Sequence, residues 1–272
     1  DDDVPNPREN GDCFGKMVCW HRRYNLGDDH DYEEPIDFLR DLYSSAVDDG
    51  GKRLVSFLKS RKAHGAYLEY NRSTHEWDLF ERCWWRSDSE SPWDCFYSVP
   101  ESQLNDADEF FDRMLEALSI TDLKTLIAER EDIAILPLFL YDHSMQSIST
   151  ASFIGRAQHA EWDSGQVGYI YADRKAILEN FGAVNAETHE KAENLLCAEV
   201  ESYDQYLRGE CYGFQLYEDG EEIDSCGGFL GDVDDWREDV KSYLPAEAQP
   251  LADELEYTCE SEDVYLRKCA AA

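Results

Sequence analysis

Any compact form of this chain has to keep a large surplus of carboxylates in water. Sixty Asp and Glu stand against 25 Lys and Arg in 272 residues, a net charge of −35. Self-repulsion of that size works against compaction, so each element must turn a clean apolar face inward and its acids outward. The composition supports a folded chain: apolar residues make up 42% and aromatics 13%, whereas disordered acidic chains are poor in aromatics. The surplus also bounds the partners. A surface this negative repels nucleic acid and anionic membranes and attracts basic proteins, DNA-binding faces included. No apolar run approaches the roughly 18 residues of a membrane span. The first ten residues lack the basic stretch and apolar run of a secretory signal. Nine cysteines lie scattered at 13, 19, 83, 95, 197, 211, 226, 259 and 269. The expectation is reduced thiols in a cytoplasm rather than a disulfide framework.

The charge is uneven. Residues 1–140 hold 31 acids and 16 bases, and residues 141–272 hold 29 and 9; Glu187 to Asp263 alone holds 24 acids and 4 bases. Lys52 to Lys62 is the opposite, with five bases and no acid. We expect an α+β fold with antiparallel or mixed sheets and packed helices. A weak boundary near 132 would separate an N-terminal α+β part (1–132) from an acidic C-terminal α+β part (133–272).

Local patterns place the elements. Strands are expected at Phe14–Trp20, Ala66–Tyr70, Trp77–Trp85, Ile133–Asp142 and Val167–Ala172. Pro35 suits the first turn of a helix whose apolar face is Ile36, Phe38, Leu39, Leu42 and Tyr43. Further helices are expected at Lys52–Ser60, Asp106–Leu118, Thr121–Glu131 and Ala186–Leu207. In the last of these Leu196, Val200, Tyr203 and Leu207 share one face, beside a stripe of Glu190, Glu193, Glu201 and Asp204. Asp219-Gly220 between two β-rich runs predicts a hairpin over Cys211–Phe229. A helix after it has Val233, Trp236, Val240 and Tyr243 inward and Asp234, Asp235, Glu238 and Asp239 outward. A final helical stretch, Ala246–Tyr257, is interrupted by Pro250. His143 to Gly165 reads as an irregular loop.

Candidate chemistry is sparse. Cys13, Cys19 and His21, with Cys95 or Cys83 as a fourth ligand, form a weak zinc candidate that lacks C-x2-C knuckles; buried thiols are the plainer reading. Asp142-His143-Ser144 has triad residue types, but consecutive residues cannot stack as nucleophile, base and orienter. A working arrangement would need His143 with Asp163 and Ser164 across the loop. G-x-S-x-G, Walker A, G-x-G-x-x-G and the EF-hand loop are absent. The glycine-rich run Cys226–Gly231 reads as a bend, and Gly27–Asp31 as a solvated acidic loop. No cofactor is expected. Trp84, Trp85 and Trp93, with Phe96 and Tyr97, crowd a Ser- and Asp-rich stretch of loop-like sequence. Such density marks either a protein interface or plugs beneath a loop.

Several strings are distinctive. They are Met17-Val18-Cys19-Trp20-His21-Arg22-Arg23-Tyr24-Asn25-Leu26-Gly27-Asp28, Leu140-Tyr141-Asp142-His143-Ser144 and Trp162-Asp163-Ser164-Gly165-Gln166-Val167-Gly168-Tyr169-Ile170-Tyr171. Glu201–Gly209 and Gly220–Cys226 continue the pattern. Together they resemble an uncharacterised family encoded by bacteriophages and plasmids of bacteria and archaea. The resemblance spans most of the chain and carries over no catalytic residue. It implies a mobile-element context, in which small acidic proteins often disarm host defences.

The leading expectation is a cytoplasmic, non-enzymatic protein that binds and blocks a basic, nucleic-acid-handling host protein. Glu190, Glu193, Glu201, Asp204, Asp234, Asp235 and Glu238 would imitate phosphates, and Trp84, Trp85 and Trp93 would anchor the contact. Direct binding to nucleic acid or membrane is not expected; a homo-oligomer is compatible with the sequence. Two alternatives stand beside it: a halophile's protein whose charge serves solubility, and a hydrolase-like enzyme centred on the 142–165 loop.

Overall fold

The structure, a computed structural model, describes residues 6–9, 13–46, 51–86, 90–104, 108–143, 145–231, 233–258 and 267–269. In chain order its elements are β1 (Lys16–Cys19), α1 (Pro35–Ser45), α2 (Lys52–Lys59), β2 (Ala66–Asn71), β3 (Glu76–Arg82) and β4 (Trp93–Pro100). Then come α3 (Asp108–Glu116), α4 (Ile120–Ala128), β5 (Ala134–Asp142), β6 (Gln146–Ser149), α5 (Ala160–Asp163) and β7 (Ser164–Ala172). The chain continues with α6 (Arg174–Phe181), α7 (Ala186–Leu207), β8 (Cys211–Glu218), β9 (Glu221–Leu230), α8 (Val233–Tyr243) and α9 (Gln249–Ala252). Two short strands close it, β10 (Glu256–Thr258) and β11 (Arg267–Cys269). The fold is α+β. Two compact units are interleaved along the chain: Asp1–Asp28 with Leu136–Ile170 and Asn194–Ala272, and Asp29–Ile135 with Tyr171–Glu193.

The second of these units is built on an antiparallel meander, β2-β3-β4, with Leu68 opposite Leu79 and a bulge between Leu79 and Phe80. Of the apolar face read from the sequence of α1, Phe38, Leu39, Leu42 and Tyr43 are buried and Ile36 is half-buried; of that of α2, read as Leu54, Val55, Phe57 and Leu58, all are buried but the half-buried Phe57. Pro35 starts α1. The α4 N-terminus carries a reciprocal capping box between Ser119 and Asp122, which satisfies donors that a helix start leaves orphaned. The Asp122 carboxylate is fully buried and also accepts from the amides of His64 (2.6 Å) and Gly65 (2.8 Å). Arg130 clasps Asp132 through two hydrogen bonds, at 2.8 and 2.7 Å. Burial opposes the charge on Asp132, but this pairing and the charges of Arg130 and Arg174 outweigh it and hold the carboxyl below its ordinary pKa.

The first unit carries a four-stranded sheet in the order β1-β7-β5-β6, with β5 and β6 antiparallel. The α7 residues Leu196, Val200 and Tyr203 are buried, as their spacing requires. Close approach explains two glycines. A Cβ on Gly168 would fall 2.2 Å from the Val18 carbonyl oxygen, and one on Gly15 would fall 2.2 Å from Leu196 Cδ2. One ion network joins segments far apart in sequence. The buried Arg8 guanidinium donates to both oxygens of Asp28 (2.9 and 2.6 Å), to Glu199 (3.1 Å) and to the Gly15 carbonyl (2.7 Å). Asp28 in turn accepts from the Met17 amide, and Glu199 from the amides of Phe14 and Gly15.

In the same unit β8 and β9 form the expected hairpin. Asp219 (φ 51°) and Gly220 (φ 86°) both lie in the left-handed region, as a two-residue turn matched to strand twist requires. Phe214 and Phe229 pack with Trp236, Val240 and Leu244 of the following segment.

Five expectations are corrected. The aromatic stretch read as loop-like contains β4, whose Ser-, Pro- and Asp-rich flanks hide it. The 143–165 segment holds β6 and α5, both four residues long and below the reach of periodicity. The strand expected to reach Trp85 ends at Arg82. Tyr243 is 58% exposed and Leu244 takes the inward place; the Val233 side chain lies outside the described ones. Pro250 sits in the first turn of α9 rather than interrupting a helix. The helix α6 went unread although Asp173 caps it and Gly182 ends it in the left-handed conformation.

Candidate protein-binding surface

The residues named from the sequence fall into different environments. On α7, Glu190 and Glu201 are exposed, and neither has a basic partner among the described residues. Glu193 meets His189 at 3.5 Å. Asp204 faces inward: it accepts from the Ser147 hydroxyl and the Ile148 amide, both at 2.7 Å, and pairs with Arg208. Its carboxylate fixes β6 to α7 and is not offered to a partner. On α8, Asp234 pairs with Arg237 (3.0 Å) and Glu238 with Lys241 (2.7 Å). The Asp235 side chain lies outside the described ones.

Unneutralised charge is also dense on the β8–β9 hairpin. Residues 211–230 contain Glu218, Asp219, Glu221, Glu222 and Asp224 and no Lys, Arg or His. The first four are exposed, Asp224 is half-buried, and none has a basic partner among the described residues. The register sets Glu218 directly opposite Glu221, and like charges facing each other across a ladder are destabilising. Glu222 stands opposite Tyr217 and Asp224 opposite Leu216, so the extra residue Ile223 turns these two acids to opposite faces of β9. Tyr217 and Ile223 stand beside them, 54% and 53% exposed. The apolar base beneath, Phe214 and Phe229 on Trp236, makes this a structured acidic finger. The signal was present in the sequence as an acid-only hairpin, but the helices drew the reading because their acids are more numerous.

In the other unit the aromatic cluster divides. Trp84 and Trp85 are 62% and 75% exposed, with the Arg82 guanidinium 4.2 Å from the centre of the Trp84 ring. Trp93 is half-buried and meets Tyr67 edge-on at 4.9 Å. The cluster is therefore solvent-facing at Trp84 and Trp85 and packed against Tyr67 at Trp93.

The loop candidates are partly assembled. His143 Nδ1 lies 2.9 Å from Asp163 Oδ2; a carboxylate only accepts, so Nδ1 carries the hydrogen and Nε2 is left for another partner. Tyr141 stacks near His143 at 6.1 Å, and His159 lies 5.9 Å away. Ser164 is not brought in: its hydroxyl donates to the Ala160 carbonyl at 2.6 Å. Ser144 lies outside the described residues.

Among the described residues no group of three or more His, Cys, Asp or Glu is placed to hold a metal ion. The Cys13 thiol donates to the Pro7 carbonyl. Burial, with Asp28 nearby, pushes the Cys19 thiol up to about 12. Burial and Arg23 lower the His21 pKa, and its ring stacks on Tyr24 at 4.9 Å. Cys83 is buried and Cys95 exposed. No helix among the described residues is long and apolar enough to cross a membrane. No family model, curated protein or solved structure matches this chain.

Proposed function

We propose that this is a cytoplasmic accessory protein of a mobile element that binds and inhibits a basic, nucleic-acid-handling host protein. The β8–β9 finger imitates phosphates in this reading. The observation that carries it is the finger's charge: five acids with no base, two of them opposed across the ladder. Repulsion within a two-stranded hairpin is a standing cost, and a cationic partner removes it. The family resemblance supplies the mobile-element context.

Pull-down from a host lysate at rising salt tests the reading. A basic protein should be retained at low salt and released as screening shortens the reach of surface charge. Changing Glu218, Glu221 and Glu222 together to Gln should weaken that binding about tenfold or more, at roughly 1 kcal/mol per charge pair. Retention indifferent to salt would count against it. Melting temperature over the same salt range covers the solubility alternative, under which the chain should unfold below about molar salt for want of screening.

A second reading, the hydrolase-like centre in the 142–165 loop, is favoured by the His143–Asp163 hydrogen bond. With Ser164 turned away, His143 would act as a general base on water. An activated ester such as p-nitrophenyl acetate is the probe. His143→Gln should lower its hydrolysis by about 10²-fold, the lower end of general-base contributions. Equal rates for the two proteins would dismiss this reading.

A further inference from the structure

Five consecutive residues of β9, Cys226 to Leu230, border one open cleft of about 670 Å³. Gly227 and Gly228 carry no side chain and the register skips Gly228, so along this run β9 borders the cleft with backbone as well as side chains. β9 has β8 as its only sheet neighbour among the described residues, which leaves its other edge without a strand. Gly228 has no partner in the register, because Phe229 faces Tyr212 and Gly227 faces Gly213. A Cβ on Gly228 would meet nothing within 4 Å. Glu201 of α7 and Asp239 of α8 also line the cleft, and no basic side chain does. Neither carboxylate has a basic partner among the described residues. Tyr243 lines it too, its ring edge-on to Phe229 at 5.9 Å and open to solvent.

We infer that this cleft receives an extended basic segment, which adds as a third strand beside β9. Main-chain bonds to a strand edge give affinity and alternate side chains give selectivity. Here the alternate side chains are Arg or Lys, placed on Glu201 and Asp239 and over the Tyr243 ring. The inference rests on the basic-partner reading and specifies how the partner is held. A second copy of this chain fits poorly: it carries the same −35 charge, and its one basic run, Lys52–Lys62, is mostly helical.

The test is titration of the ¹⁵N-labelled full chain with the peptide Arg-Val-Arg-Val-Arg-Val at low salt. Amide shifts should cluster at Cys226–Leu230. A Glu201→Gln, Asp239→Asn double variant that keeps its melting temperature should bind about tenfold more weakly. Shifts confined to the hairpin tip, with affinity lost only in the Glu218, Glu221 and Glu222 variant, would overturn the cleft and keep the basic-partner reading. Absence of any binding would overturn both. Concentration-dependent shifts at Cys226–Leu230 without peptide would reveal self-pairing of this edge and also overturn the inference.

Discussion

Arg8→Ala should destabilise the protein by about 3–5 kcal/mol, the range for removing one partner of a buried ion pair. The Arg8 side chain is 2% exposed, while Asp28 and Glu199 are 27% and 16% exposed. Without the guanidinium, two carboxylates remain in one poorly solvated place, and the Gly15 carbonyl loses its donor. The backbone amides of Phe14, Gly15 and Met17 still hold both carboxylates there, so the acids cannot separate to relieve the repulsion. Chemical denaturation measures the effect as a lower midpoint at unchanged slope. Arg8→Lys should recover only part of the loss, because an ammonium cannot reproduce the two-pronged contact with Asp28. An Arg8→Ala protein within about 0.5 kcal/mol of the parent, the range of an ordinary surface change, would show that the network contributes no stability.

Asp122→Ala should cost about 3–4 kcal/mol, from two effects that add. It removes the reciprocal bond that caps α4, and losing such a cap costs roughly 1 kcal/mol. It also strips the buried amide of Gly65 of its acceptor, at about 1–3 kcal/mol for an orphaned group, while the His64 amide, on an exposed residue, loses less. The backbone there has no room to turn away: a Cβ on Gly65 would lie 2.6 Å from the Ala117 carbonyl. Asp122→Asn keeps one acceptor oxygen and should lose about half as much. The denaturation midpoints of the three proteins give the comparison, and equal losses for Ala and Asn would refute the orphaned-amide argument.

Sequence made the fold legible where local chemistry and burial agree. The α7 bounds, Ala186 and Leu207, follow from a long apolar stripe, the β8–β9 turn from Asp219-Gly220, and the α1 start from Pro35. Short elements such as β6 and α5 give too few residues for a period to show. Tyr243 and Leu244 are neighbours at the end of α8, and one residue is 100° of helix, so a small phase error exchanges inside and outside. At the site, the approach of His143 to Asp163 was visible as residue types spaced across one loop. The Arg8–Glu199 contact was not, because it joins positions 191 residues apart that share no local pattern. Nor could the sequence show which acids are neutralised: Asp204 and Glu201 look alike on the α7 stripe, yet one holds β6 and the other faces water.

The interleaving of the two units bears on how the chain is made. The unit assembled from Asp29–Ile135 takes its last segment from Tyr171–Glu193, and the other waits for residues beyond Asn194. Domains generally fold from the N-terminus during synthesis, but here neither unit is complete before Glu193 has been added. Until then the nascent chain carries unsheltered apolar faces. Its density of like charge, a burden on the finished fold, would then hold growing chains apart on neighbouring ribosomes.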